Sequence, residues 1–94
     1  MRFIRSHVDR NKKLCIDLLN GSTYSKTARD AGITPPMSKI IMWKMIRLVD
    51  LDLAQKSYDA SNNKSYDLSI LRNERNRLID LIANLDKKHI VEEL

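Results

Sequence analysis

Apolar residues recur at intervals of three and four along most of the chain, and no stretch sustains a strict alternation of apolar and polar positions. This spacing places apolar side chains on one face of an α-helix, whereas a half-buried strand needs a period of two. Both glycines and both prolines fall between residues 21 and 36, so the strongest breaks in regular structure are concentrated there. The pattern predicts an all-α fold.

The glycines divide the first part of the chain into short predicted helices. The first helix spans about residues 9–20 and ends at Gly21, because glycine tolerates the left-handed conformation that follows a helix. The second helix begins with either Ser22 or Thr23 as its N-cap and ends at Gly32.

The double proline is predicted to start the third helix rather than to break one. Thr34 offers a hydroxyl cap, and Pro35 and Pro36 fall in the first turn, where a missing N–H removes no helical hydrogen bond. This third helix is predicted to continue without a break to about Ala54.

The second part of the chain has a different pattern. Residues 56–66 are polar and rich in Ser and Asn, which predicts a linker between a head at residues 1–55 and a C-terminal element at residues 67–94. From 67 to about 93 no Gly or Pro occurs, and apolar residues spaced three and four apart predict one long amphipathic helix. Its stripe could pair two chains or fold back on the domain's own core; we favour a homodimer whose seam contains Leu71, Arg75, Leu78, Ile82 and Leu85.

The junction of the second and third helices satisfies the steric demands of two helices joined by a tight turn. Ala28 is small where the helices would cross closely, Gly32 can take positive φ four residues later, and Ile33 can fill the angle between them. Further apolar residues, Ile41 and Met45 among them, then recur on the inner face of the third helix.

The block GSTYSKTARDAGITPPMSKIIMWKMIRLV, residues 21–49, resembles the helix-turn-helix of bacterial and phage transcription regulators. It is especially similar to the pattern in region four of sigma factors, and the resemblance covers about a third of the chain. The resemblance implies that helix 35–49 enters the major groove of double-stranded DNA while helix 23–31 lies across the backbone.

The chain departs from that family's pattern at one position and so leaves two registers open. Five residues after Ile33 the pattern has a buried valine or isoleucine, whereas Ser38 stands here. Either Ser38 faces inward or Met37 takes the core position. The first register turns outward Pro35, Pro36, Lys39, Ile40 and Trp43; the second turns outward Ser38, Lys39 and Met42.

Residue types give a set of candidate DNA contacts. Hydroxyl groups can bond phosphate oxygens, cationic side chains can neutralise phosphates, and helix N-termini suit anions. Lys39 could reach the acceptor edge of guanine and Met or Pro side chains a thymine methyl, whereas the lack of Arg, Asn and Gln over residues 35–45 argues against extensive hydrogen-bonded readout. The candidates are Thr23, Ser25, Lys26, Thr34, Pro35, Pro36, Ser38, Lys39, Met42, Lys44 and Arg47.

Charge is distributed unevenly and supports a polyanionic partner for the first half. The chain has a net charge of +5. Residues 1–47 carry ten Lys or Arg and three Asp, whereas residues 48–94 carry seven basic and nine acidic residues. The basic footprint therefore belongs to the half that contains the double proline.

Other kinds of chemistry find little support. Cys15 is the only cysteine, so no disulfide can form within the chain, and it lies in an apolar stripe. His7 and His89 are isolated, no residue spacing fits a metal site, and no nucleophile–base pair or phosphate-binding loop occurs. The sequence predicts a protein that is not an enzyme and uses no cofactor or metal.

The location expected from the sequence is cytoplasmic. The N-terminal MRFIRSHVDR lacks the apolar core of a signal peptide. The most apolar run, IIMWKMIRLV, contains Lys44 and Arg47 and is too short to span a bilayer.

Two functions follow from these observations. The first is a sequence-specific, homodimeric DNA-binding transcription regulator. The alternative is a protein-interaction module that binds RNA polymerase or a sigma-type partner, with DNA binding secondary.

Overall fold

The computed structural model describes residues 8–62 and 67–85. These residues contain six helices and no strand, which confirms the all-α prediction. In chain order the helices are α1 (Val8–Leu19), α2 (Tyr24–Ala31), α3 (Pro35–Val49), α4 (Leu51–Ala60), α5 (Leu68–Arg72) and α6 (Arg75–Ala83).

Helix α3 occupies the centre of the fold, because it packs against α1, α2, α4 and α6. Helix α1 is the second organiser and contacts α2, α3, α5 and α6. One apolar cluster joins these elements. Burial of its apolar surface is the main favourable contribution to folding. Its buried members are Leu14, Cys15, Leu18, Leu19, Ile41, Met42, Met45, Ile46, Leu53, Ala54, Leu71, Leu78 and Ile82.

The predicted continuation of the third helix to Ala54 is wrong. Helix α3 ends at Val49, and Asp50, with extended φ and ψ of −160° and 90°, separates it from α4. The carboxylate of Asp50 accepts a hydrogen bond of 3.0 Å from the Leu53 N–H and so caps α4. Its other oxygen lies 2.7 Å from Arg77 Nη2 of α6, which holds the break in place.

The predicted linker is wrong over residues 56–60, because these residues form the last part of α4. Ser57 is buried, and its hydroxyl donates a hydrogen bond to the Ala54 carbonyl within the helix, which satisfies a polar side chain inside the fold. Residues 63–66 of the predicted linker lie outside the described residues.

The prediction of one long C-terminal helix is also wrong over the residues that the structure describes. Two short helices, α5 and α6, occupy residues 68–83 and are separated at Asn73 and Glu74. Both pack against α1, and α6 also packs against α3. Residues 86–93 of the predicted helix lie outside the described residues.

Four of the five residues proposed for the dimer seam pack in the chain's own core. Leu71, Leu78 and Ile82 are fully buried in the core of the single chain. Leu85 packs partly buried against that core, while Arg75 is exposed. The alternative interpretation of this stripe, that it covers the domain's own core, is therefore correct for these side chains.

Lysine and arginine side chains help to hold the C-terminal helices against α1. Arg72 donates hydrogen bonds of 2.9 and 3.0 Å to the carbonyls of Leu18 and Ser22, just where α1 ends. Lys12 Nζ donates to the carbonyls of Ala83 and Leu85 at the end of α6. Carbonyl groups at a helix C-terminus lack intrahelical donors, and cations there also interact favourably with the helix dipole.

Candidate nucleic-acid interface

Helices α2 and α3 are joined by a turn whose geometry follows from local sequence. Thr23 caps α2, since its Oγ1 accepts a hydrogen bond of 3.0 Å from the Lys26 N–H. Gly32 ends the helix with φ 72° and ψ 32°, the left-handed conformation that costs glycine little. Between the two alternatives considered, the cap is Thr23 and not Ser22.

The start of α3 also follows the prediction. Thr34 Oγ1 accepts a hydrogen bond of 3.4 Å from the Met37 N–H, and Pro35 and Pro36 occupy the first two helical positions. Across the turn, the Ile33 N–H donates to the Ala28 carbonyl over 2.9 Å. Ala28 is buried, and Ile33 is partly buried and packs against the apolar core.

A buried pair of hydroxyls fixes the register of α3 against α2. Thr27 Oγ1 and Ser38 Oγ lie 2.8 Å apart, and both side chains are almost fully buried. Thr27 also lies within hydrogen-bond distance of the Thr23 and Tyr24 carbonyls, so this group of polar atoms is satisfied without water. Ser38 therefore faces inward, and Met37, with 46% of its surface exposed, faces solvent.

This register corrects two of the candidate contacts. Ser38 and Met42 are fully buried, because they lie on the side of α3 that packs against the rest of the fold. Neither side chain has surface left for DNA. Lys39 is partly exposed. The remaining candidates are exposed, namely Thr23, Ser25, Lys26, Thr34, Pro35, Pro36, Lys44 and Arg47.

The outer side of α3 combines cations with apolar groups. Lys44 and Arg47 are exposed near its middle and end, while Met37 and Ile40 are exposed near its start. Lys39 Nζ lies 5.6 Å from the centre of the Trp43 ring, a distance at which a cation is attracted to an aromatic face. Met37 and Ile40 are not among the DNA contacts predicted from the sequence. Their exposure could have been inferred from the sequence, because α3 carries more apolar residues than one buried helix face can hold.

The charged side chains of α3 are all positive. No Asp or Glu occurs between Asp30 and Asp50. Among the ion pairs of the described residues none involves Lys44 or Arg47, whereas Lys26 Nζ on α2 lies 2.9 Å from Asp30 Oδ2. The hydrogen bond from Lys26 is the main reason that the pKa of Asp30 is lowered. Lys26 is thus partly neutralised, while the cations of α3 are not.

A shallow groove continues this surface towards α4. It is lined by Lys44, Arg47, Leu48 and Leu51 and has a volume of about 260 Å³. Leu51 is 60% exposed and contributes apolar surface to this groove. The groove therefore offers both positive charge and apolar surface.

Metal binding, thiol chemistry and membrane insertion find no support in the described residues. Over the described ranges 8–62 and 67–85, no three His, Cys, Asp or Glu side chains are arranged to hold a metal ion. Cys15 is fully buried, and burial raises the pKa of its thiol, which disfavours the reactive thiolate. In the same part of the chain no helix has the length and hydropathy needed to cross a membrane.

Comparison of the chain with known protein families, with curated proteins and with solved structures gives no match.

Proposed function

We propose that this protein is a sequence-specific DNA-binding transcription regulator in which α2 and α3 form a helix-turn-helix. In this arrangement α3 lies in the major groove and the N-terminus of α2 meets the phosphate backbone. The cap, the positive φ at Gly32 and the inward Ser38 support the assignment, because together they leave one continuous side of α3 open to a partner.

One observation carries the proposal: the exposed side of α3 presents Lys44 and Arg47 without an acidic partner in the described structure. Elsewhere, cations such as Lys12, Arg72 and Arg77 bind carbonyls or carboxylates of the chain itself. A cluster of unpaired cations on one helix face suits a polyanion. Each phosphate contact would also release condensed counterions and so add affinity.

Each part of the surface has a distinct role in this proposal. Lys44 and Arg47 contact phosphates and supply affinity for any duplex. The hydroxyls of Thr23, Ser25 and Thr34 donate to phosphate oxygens near the two helix N-termini. Lys39, held beside Trp43, reaches the acceptor edge of guanine.

The direct test begins with selection of bound fragments from a genomic library by the purified protein, which yields a preferred site. Affinity for that site and for a random duplex is then measured over a range of salt concentrations. Lys44→Ala and Arg47→Ala should each weaken binding to both duplexes and reduce the slope of log K against log salt by about one unit.

Arg75→Ala is the matched control. Arg75 is also exposed and has no ion pair in the described structure, but it lies on α6, which packs against the buried side of α3. Its removal should leave the salt slope unchanged. Equal effects of Arg75→Ala and Arg47→Ala would mean that α3 is not the binding surface.

Lys39→Ala tests the specific contact separately. It should weaken the preferred site by roughly 1–3 kcal/mol and change the random duplex much less. If the preferred site keeps its affinity, Lys39 does not contact a base.

A protein-interaction module is the second candidate, and the groove beside Leu51 favours it. Leu48 and Leu51 next to Lys44 and Arg47 would suit an acidic, apolar segment of a partner such as RNA polymerase or a sigma-type protein. A DNA-free pull-down with RNA polymerase distinguishes the two functions. Binding that Leu51→Ser abolishes, together with no preferred DNA site, would favour the protein partner.

A further inference from the structure

The first turns of α3 expose apolar side chains where a base-reading surface would be expected to offer hydrogen bonds. Met37 and Ile40 are 46% and 43% exposed, and they are three residues apart, which places them on one side of the helix. Pro35 and Pro36 are exposed beside them and provide no side-chain donor.

These apolar groups are not needed by the core. The opposite side of the same turns already contributes buried Ser38, Ile41 and Met42 to the packing. Across residues 8–62 and 67–85, the exposed large apolar side chains are Met37, Ile40, Leu51 and Leu81, so two of the four occupy this one helical surface. Neighbouring exposed apolar side chains can form a contact surface.

The surrounding charge indicates what kind of partner this surface suits. Lys39 borders it, Lys44 and Arg47 follow on the same helix, and no acidic residue lies between Asp30 and Asp50. A polyanion is therefore the complementary partner. The major groove of DNA carries one apolar group on its base edges, the 5-methyl group of thymine.

We propose that Met37 and Ile40 read thymine by contact with its 5-methyl group, so that the preferred site contains thymine opposite the N-terminal half of α3. This inference rests on the proposed DNA-binding function and names the chemical feature that the same surface selects. Specificity then comes from apolar contact and the bordering Lys39, while Lys44 and Arg47 hold the backbone.

Deoxyuridine provides the sharpest test, because it differs from thymidine only in lacking the methyl group and still pairs with adenine. Each thymine of the preferred site is replaced by deoxyuridine in turn, and the dissociation constant is measured at fixed salt. At one or two positions we expect binding to weaken about fourfold, equivalent to about 0.8 kcal/mol for one buried methyl group.

Protein variants connect that loss to particular side chains. Ile40→Ala and Met37→Ala should weaken binding to the thymine site, and on the matching deoxyuridine site one of them should cause little additional loss. Leu81→Ala is the control, because Leu81 is an exposed apolar residue of α6. Circular dichroism checks that the variants remain folded, as expected for exposed positions.

The outcomes separate this inference from the function on which it rests. If the protein selects a site but every deoxyuridine substitution leaves affinity unchanged, methyl reading is wrong and DNA binding stands. Methyl reading is also wrong if Leu81→Ala has the same effect as Ile40→Ala. If no site is selected, the proposed function fails, and this inference fails with it.

Discussion

Helix pairs α2–α3 and α5–α6 are each joined by a short turn, but several of their basic side chains differ in what they contact. In α5–α6, Arg72 donates to main-chain carbonyls of Leu18 and Ser22, and Arg77 pairs with Asp50 and Glu74. In α3, Lys44 and Arg47 point to solvent, and the described structure gives them no ion pair.

The difference separates cations that the fold itself uses from cations that stay exposed on the surface. Cations that bind carbonyls or carboxylates of the chain stabilise the fold and leave little field outside it. Cations left exposed on one helix face remain available to a partner. Apolar groups differ less sharply, because each helix has a buried side: α6 exposes only Leu81 among its large apolar residues, whereas α3 exposes both Met37 and Ile40.

The largest expected effect comes from the buried side of α6. Leu78→Ala should lower the free energy of unfolding by roughly 2–5 kcal/mol, because Leu78 is fully buried and its removal leaves a cavity. Urea denaturation measures the change. Leu81→Ala, on the exposed side of the same helix, should change stability by no more than about 0.5 kcal/mol.

Sedimentation of the intact protein at micromolar concentration adds a second outcome to that comparison. Since Leu71, Leu78 and Ile82 are used within one chain, we expect these side chains to contribute nothing to self-association. A dimer that Leu78→Ala converts to folded monomers would contradict the placement of this leucine in the chain's own core.

The next effect concerns the arginine that joins α5 to α1. Arg72→Met keeps much of the side-chain volume but removes hydrogen bonds to the Leu18 and Ser22 carbonyls, so unfolding should become easier by roughly 1.5–3 kcal/mol. DNA affinity of the folded variant should stay unchanged. Arg47→Met should do the reverse, with little change in stability and weaker DNA binding. Similar results for both variants would remove the distinction between the two helix pairs.

The success of the sequence analysis depended on how local each signal was. Gly32 and Thr34 were predicted, and the cap of α2 was narrowed to Ser22 or Thr23, because caps and left-handed turns involve residues three or four positions apart. Ser38 left two registers open, since its partner Thr27 lies on another helix and the hydroxyl pair forms only when α2 and α3 pack.

Two failures, at Asp50 and in the C-terminal stripe, involve contacts between distant parts of the chain, although the cap of Asp50 on Leu53 is local. The break at Asp50 contains neither Gly nor Pro, and its ion pair comes from Arg77, which lies 27 positions further along. The apolar stripe of residues 68–85 has the same spacing whether a second chain or the chain's own core covers it. Sequence periodicity indicated that Leu71, Leu78 and Ile82 are buried but could not show what buries them.

A smaller effect is expected at that break. Asp50→Ala should lower the free energy of unfolding by about 0.5–2 kcal/mol, because it removes the cap of α4 and the partner of Arg77. Asp50→Asn should lose less, since asparagine caps a helix about as well as aspartate and only the charge is removed.

The pH dependence identifies the charged part of that contribution. The hydrogen bond from the Leu53 N–H, and then the Arg77 guanidinium, hold the pKa of Asp50 below its ordinary value in the folded protein. The contribution is therefore fully present above the unfolded pKa of about 3.9 and is lost as pH falls through the lower folded pKa. The stability difference between the native protein and Asp50→Asn should shrink over that range. A constant difference would mean that the charge of Asp50 contributes nothing.

The smallest expected effect separates the cations of α2 from those of α3. Lys26 and Lys44 are both exposed, but Lys26 Nζ lies 2.9 Å from Asp30 Oδ2, whereas the described structure gives Lys44 no acidic partner. A phosphate near Lys26 would have to compete with Asp30, whose carboxylate also repels it. Lys26→Ala should therefore reduce the salt slope of DNA binding by less than the roughly one unit expected for Lys44→Ala. The effect of Lys26→Ala on stability should not exceed about 0.5 kcal/mol, because exposed ion pairs one helical turn apart contribute little.

Asp30→Asn frees Lys26 and is expected to strengthen binding to every duplex by a small, salt-dependent amount. If Asp30→Asn leaves DNA affinity unchanged while Lys44→Ala weakens it, α2 lies further from the backbone than proposed, and the phosphate contacts belong to α3.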